Sequence, residues 1–206
     1  RVTVWSGPPQ RCGGPGHGAV IRARTALRPA PAAGTVHLWL VAKVSAGILP
    51  YRNTDRGLEV LLVHPGGPFW ARRDLGSWSL AKGRCEPGET PFDAARREFA
   101  EETGHTPEGE FLPLGSHRQP GGKLVHAWAL ALDWDPALLK CNTVEMEWPR
   151  GSGRRQRFPE VDRAAWFDVR EALRRILPGQ RPFIEELHQR LTGAPLPADD
   201  LDAGPP

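Results

Sequence analysis

From residue 45 onward the apolar residues fall into short runs of strand length, whereas residues 1–40 show no sustained period of 2 or 3.6 that could build a buried face. SAGILPYR (45–52) and LEVLLVHP (58–65), separated by the polar turn NTDRG, predict two β-strands. KLVHAWALALDW (123–134) alternates over part of its length and predicts a third, longer strand; AAWFDV (164–169) predicts another. DVREALRRIL and PFIEELHQRL place apolar residues three and four apart, the spacing of amphipathic helices. Between the second and third strands lies a glycine- and tryptophan-containing loop, GGPFWARRDLGSWSLAKG. The segment NTVEMEWPRGSG reads as a further loop, and no repeat is visible.

Composition narrows the class. With 206 residues, 39% of them hydrophobic and eight tryptophan, the chain is long enough for one full core plus tails. No run approaches the roughly 18 apolar residues of a membrane span. Cys12, Cys85 and Cys141 are widely spaced, form no CxxC pair and leave an odd thiol, which points to a reducing, cytoplasmic compartment and away from zinc. The sequence pI of about 9.0 is a property of the leader. Residues 1–44 carry five arginines, Lys43 and no acid; removing those six from 27 basic residues leaves 21 against 24 acids. The rest of the chain is net negative, so nucleic acid is not an expected partner.

The expected organisation is a disordered Pro-, Gly-, Ala- and Arg-rich leader over 1–43, a domain over 44–192, and a flexible proline-rich acidic tail over 193–206. The leader reads equally as a true extension or as translated upstream sequence, since the chain opens without Met. His37 interrupts TVHLWLVA, and the arginines lie well upstream of it, which argues against a signal-peptide core.

The stretch with the most chemistry is GRCEPGETPFDAARREFAEETG (83–104). Thr90 is a good N-cap, Pro91 suits the first helical position, Asp93 sits in the box position and Gly104 suits C′, so a helix is predicted from Pro91 to Thr103. On it Phe92, Ala95 and Phe99 share one stripe while Glu98, Glu101 and Glu102 share the adjacent one. Like charges so placed repel by roughly 0.2–0.5 kcal/mol per pair. Either they face water, relieved by Arg96 and Arg97, or they hold a cation. Hard Mg²⁺ or Mn²⁺ suits all-oxygen ligands at the edge of a core.

Gly83, five residues, Glu89, seven residues and then Arg97-Glu98-Phe99-Ala100-Glu101-Glu102-Thr103-Gly104 resembles the Nudix box, with eight specified positions matched at fixed spacing. His105 stands where the box usually ends on an aliphatic residue. SAGILPYR, HPGGPFW, WSLAKG, EWPRGSG and FPEVDRAAWF extend the resemblance over 45–191, toward a bacterial subgroup resembling nucleoside triphosphate pyrophosphohydrolases; Ala81 replaces a proline common there.

The resemblance implies an α/β (α+β) Nudix fold, a mixed β-sheet between helices. It implies hydrolysis, dependent on Mg²⁺ (or Mn²⁺), of a nucleoside diphosphate linked to another group: a nucleoside triphosphate, a dinucleoside polyphosphate or an ADP-ribose type of substrate. Glu98, Glu101 and Glu102 would be metal ligands, with the Gly83 carbonyl completing the set and Glu98 able to orient or deprotonate water. Arg97 and Glu89 would pair to hold the loop against the helix. Glu145 and Glu147 are candidates for a base or ligand outside the box. Lys82, Arg150, Arg154 and Arg155 are candidates for phosphate contacts, and Trp70 and Trp78 for base stacking. The implied partner is a small nucleotide, with neither nucleic acid nor membrane, and with a homodimer among the open oligomeric states. The competing expectation is a catalytically silent Nudix-fold sensor, which phosphate release with Mg²⁺ against EDTA would distinguish.

Overall fold

The computed structural model describes residues 44–197; the expectation of a disordered leader lies outside them. Two core clusters flank a six-stranded mixed sheet. Its central strand β1 (Val44–Thr54) is buried from Ser45 to Pro50. β1 pairs antiparallel with β2 (Gly57–Pro65) through its C-terminal half, antiparallel with β3 (Ala81–Arg84) through its N-terminal half, and parallel with β5 (Leu124–Ala131) along its other edge. β4 (Phe111–Arg118) adds to β5, and the sheet closes on the far side with β8 (Val161–Asp168) against β2. β6 (Thr143–Glu147) and β7 (Arg155–Pro159) form a separate hairpin.

One helix covers one face of the sheet and two cover the other. α1 (Pro91–Thr103) buries Ala94, Ala95 and Phe99 against Ala46, Ile48, Ala81 and Leu130. α2 (Val169–Arg175) and α3 (Arg181–Thr192) bury Ala172, Leu173, Phe183, Ile184 and Leu187 against Leu49, Val60, Leu80, Val125 and Ala127. The alternation along β1, β3 and β5 sends successive residues to opposite helix layers.

The predicted limits of α1 coincide with its caps. The Thr90 hydroxyl accepts from the Asp93 N–H at 3.1 Å, and Gly104, at φ 74°, returns its N–H to Ala100 at 2.8 Å. Gly47 serves the site indirectly, because a Cβ there would lie 2.3 Å from the Ala81 carbonyl and 2.4 Å from Lys82 Cβ. Only glycine lets β3, which carries Lys82 and Gly83, lie this close on β1.

Three differences from the sequence reading stand out. NTVEMEWPRGSG is a hairpin strand and turn rather than a loop. β3 and β4 were not anticipated. The tail expected to be flexible from residue 193 is anchored at its start: Leu196 is 7% exposed within the α2/α3 core cluster, and the Ala194 carbonyl meets His188 Nδ1 at 3.1 Å. Residues 198–206 lie outside the described chain.

Candidate functional site

The site is assembled around Arg97, on the border of the face that α1 buries. Its guanidinium clamps Glu89 with two parallel bonds, Nε to Oε1 and Nη2 to Oε2, both 2.9 Å. Nη2 also donates to the Arg84 carbonyl at 2.9 Å, and Nη1 reaches Glu98 at 2.9 Å and Glu101 at 3.3 Å. Glu89 further accepts the Glu86 N–H at 2.9 Å. The loop after β3 is thereby tied to α1 by a planar fork that a lysine could not reproduce. These bonds hold Glu89 down at a pKa of about 2, with the Arg97 bond the largest cause, and raise that of Arg97.

Glu98 and Glu102 sit differently. Glu102 is half-buried and accepts the Lys82 backbone N–H at 2.8 Å. Loss of solvation pushes it up to about 7, opposed by Lys82 and reinforced by Glu98 and Glu160. Desolvation also raises Glu98, against the pull of Arg97 and with the push of Glu101 and Glu160. The Glu98 carboxylate presses on the backbone of β3, where a Cβ on Gly83 would fall 1.8 Å from its Oε2. The lack of a side chain at Gly83 thus leaves a cradle between strand and helix that the Glu98 carboxylate occupies.

Among the described residues no three acidic, imidazole or thiol side chains converge as a ready-made cage for an ion. The hydrogen bonds explain this: Glu98 and Glu101 share Arg97 Nη1, while Glu102 turns to the Lys82 N–H. The donor set nevertheless fits a hard divalent cation. It consists of three carboxylates on one helical stripe, two of them short of solvation, beside a glycine cradle.

Two residues to which the sequence reading gave no role join this group. Glu160, in the FPEV stretch between β7 and β8, is carried there by backbone links: Asn142 donates to Glu101 O at 3.4 Å, and Glu160 donates to Asn142 O at 2.9 Å. Lys123, just before β5, is half-buried, and its charge couples to Lys82, Arg84, Glu102 and Glu98. Neither carries a local signal, because long-range pairing brings both to the site.

Several sequence candidates lie elsewhere. Trp78 is corrected as a stacking residue: it is 3% exposed, donates Nε1 to Asp74 at 2.8 Å, and packs edge-on against His64 and Phe167. Trp70 carries the Arg73 guanidinium 5.5 Å from its ring centroid. Glu147 accepts the Gly153 N–H at 2.6 Å, and Glu145 pairs with Arg155 at 3.5 Å, so both acids brace the β6–β7 hairpin. Arg150 and Arg154 are exposed on its turn and make no ion pair among the described residues. Lys82 is half-buried, with Nζ 3.5 Å from Ser79 Oγ.

The family model for the NUDIX domain matches residues 41–187, most of the chain. The chain belongs to the Nudix family. It is 29% identical over 176 residues to an RNA pyrophosphohydrolase from Rhodospirillum rubrum, covering 75% of this chain and 94% of the relative. It is 39% identical over 100 residues to an 8-oxo-(d)GTP phosphatase from Mycolicibacterium smegmatis, a stretch that is 48% of this chain and 28% of that longer protein. In fold it resembles the NUDIX domain of Shewanella oneidensis NrtR complexed with ADP ribose, with a TM-score of 0.53, 18% identity, and coverage of 73% and 89% of the two chains. This Nudix chain is a pyrophosphohydrolase by family.

Proposed function

We propose that the chain hydrolyses a diphosphate linkage in a nucleoside diphosphate joined to another group, at a site built on Glu98, Glu101 and Glu102. The observation that supports this most strongly is the pair of desolvated carboxylates, Glu98 and Glu102, held against Gly83 by a helix that Arg97 and Glu89 fix in place. Helix packing that strips water from like charges is unfavourable unless a cation completes the site.

The three carboxylates and the Gly83 carbonyl would hold Mg²⁺, or Mn²⁺. Such an ion would supply charge neutralisation for the diphosphate and would make an attacking water more acidic. The chain's own groups supply the rest. Glu98, its proton affinity raised by burial and by the nearby charges of Glu101 and Glu160, is the acid that would orient a water or take its proton. Arg97 keeps α1 and the loop in register rather than meeting substrate, its donors being already committed to carboxylates and the Arg84 carbonyl. The cationic side chain of Lys82, which faces Glu102, offsets charge on the departing phosphate.

Nucleoside triphosphates, dinucleoside polyphosphates and ADP-ribose, incubated with Mg²⁺ and separately with EDTA, test this reading. A nucleoside monophosphate or other phosphomonoester should form with Mg²⁺ and not with EDTA. Binding without turnover across the panel, or release of orthophosphate alone from a triphosphate, would contradict it.

A further inference from the structure

The β6–β7 hairpin does not stand alone. Alternation along β6 puts Val144, Met146 and, one step past the strand, Trp148 on one face, with Phe158 of β7 opposite Val144. The Trp148 N–H donates to the Arg154 carbonyl at 2.8 Å, which continues the pairing by one rung and sets Arg154 across from Trp148 on the same face. Two strands hold poorly by themselves. The loop after β2 lies over this face: Gly67 sits beside Met146 and Phe158, and the rings of Phe69 and Trp148 meet edge-on with centroids 5.1 Å apart.

The same loop is fastened to the carboxylate site. Gly66 donates its N–H to the Glu160 carbonyl at 2.9 Å, and a side chain on Gly66 would strike the Pro159 carbonyl. Glu160 is the residue whose charge acts on both Glu98 and Glu102. Three residues of chain reach at most about 11 Å, so Phe69 stands no farther than that from Gly66. The loop fixes Phe69 in place as well. Gly67, at φ 90°, takes the left-handed conformation, and its carbonyl accepts the N–H groups of Trp70 and Ala71, each at 3.2 Å. Phe69 is carried on the closed turn between them.

Packing does not account for what this turn displays. The exposed large hydrophobics of loop and hairpin face are Phe69, at 53%, and Val144, at 37%. Two such residues are too few for a stable protein partner, which needs roughly 800 Å² on each side with an apolar centre. A small flat occupant fits them. Next to the rings, Arg150 and Arg154 are exposed and make no ion pair among the described residues. A guanidinium donates five N–H groups and accepts none, so the occupant that completes the corner is aromatic and bears acceptors.

We propose that Phe69 and Trp148, with Arg154 beside them, hold the heterocyclic base of the nucleotide whose diphosphate lies on the α1 carboxylates. This deepens the proposed function and rests on it for the place of the phosphates; the corner itself rests on the displayed rings and the unpaired arginine. The two ring planes stand at 81°, so a base lying flat on Phe69 meets Trp148 with its edge. Phe69 is the residue that selects for the base, and purines, with more ring area to stack, are favoured over pyrimidines.

The probe is 2-aminopurine riboside 5′-monophosphate, which has no diphosphate to cleave and loses fluorescence when its base stacks. It is titrated into the full chain in EDTA, with a melting curve for each variant. The parent should quench it; Phe69→Ala should weaken binding at least 10-fold at an unchanged melting temperature, and Phe69→Tyr should stay within 2-fold of the parent. With Mg²⁺, Phe69→Ala should raise KM for purine nucleoside triphosphates at least 5-fold while kcat changes less than 2-fold. No quenching by the parent, parent-like affinity in folded Phe69→Ala, or an equal loss in Phe69→Tyr would overturn the proposal. A parent that sediments as a dimer and a Phe69→Ala chain that sediments as a monomer with unchanged probe affinity would assign the corner to a second copy, and would also overturn it. If the quenching pattern holds and no nucleotide is hydrolysed, the proposed activity fails and the corner stands. If hydrolysis proceeds with the same KM in parent and Phe69→Ala, the activity stands and the corner fails.

Discussion

Glu102 concentrates the physics of this site in one side chain. Its folded-state pKa is raised to about 7 because burial disfavours its charge. In metal-free protein its contribution to stability is therefore full below the ordinary carboxylate range and is lost as pH rises through about 7. Between pH 5 and pH 8 in EDTA, the parent should lose several degrees more in Tm than Glu102→Gln, at roughly 2–4 °C per kcal/mol for a chain of this size. Glutamine can still accept the Lys82 N–H, so the variant isolates charge. Parallel pH profiles for the two proteins would remove Glu102 from the list of strained acids. Arg97 carries the complementary prediction. Arg97→Lys keeps charge but loses the two-pronged bond to Glu89 and the bond to the Arg84 carbonyl, so both Tm and turnover should fall. Full activity in a folded Arg97→Lys protein would show that the fork does not position the loop.

Among the elements, α1 was legible from local signals alone: cap, proline, glycine stop and an apolar stripe beside an acidic one. Strands with strong runs, β1, β2, β5 and β8, were legible for the same reason. β3 was not, because AKGR is short and polar and becomes a strand only by pairing with β1 beside Gly47. The β6–β7 hairpin hid behind WPRGSG, and with it the reason Glu145 and Glu147 stay away from the carboxylates: their oxygens serve the hairpin. Trp78 was ambiguous in sequence because an indole can stack on a nucleobase although a core is its commoner place; its burial and its bond to Asp74 put it in the core. The dependence of β3 on Gly47 gives an element-scale prediction. Gly47→Ala places a methyl against backbone 2.3 Å away, so it should destabilise by about 1–3 kcal/mol in urea unfolding. It should also lower turnover, because Lys82 and Gly83 move with the strand. An alanine variant as stable and active as the parent would show that β3 is not held in this register.

At the scale of the molecule, a mixed sheet carries α1 with its carboxylates on one face and α2 and α3 on the other, with Lys82 and Lys123 facing Glu102 at the end of the sheet. No described helix is long and apolar enough to cross a membrane. Residues before 44 add basic charge but no periodic apolar face, so removing residues 1–43 should leave Tm and turnover nearly unchanged; a marked loss of either would show that they pack on the domain. The central claim is that Glu98, Glu101 and Glu102 form a working site and not a solvated acidic face. Steady-state hydrolysis with Mg²⁺ by Glu98→Gln, Glu101→Gln and Glu102→Gln, each confirmed folded by its melting curve, tests it most directly. The account predicts turnover reduced by orders of magnitude, with Tm equal to the parent or slightly higher in EDTA as like-charge repulsion is relieved. Parent-like rates in all three folded variants would contradict it.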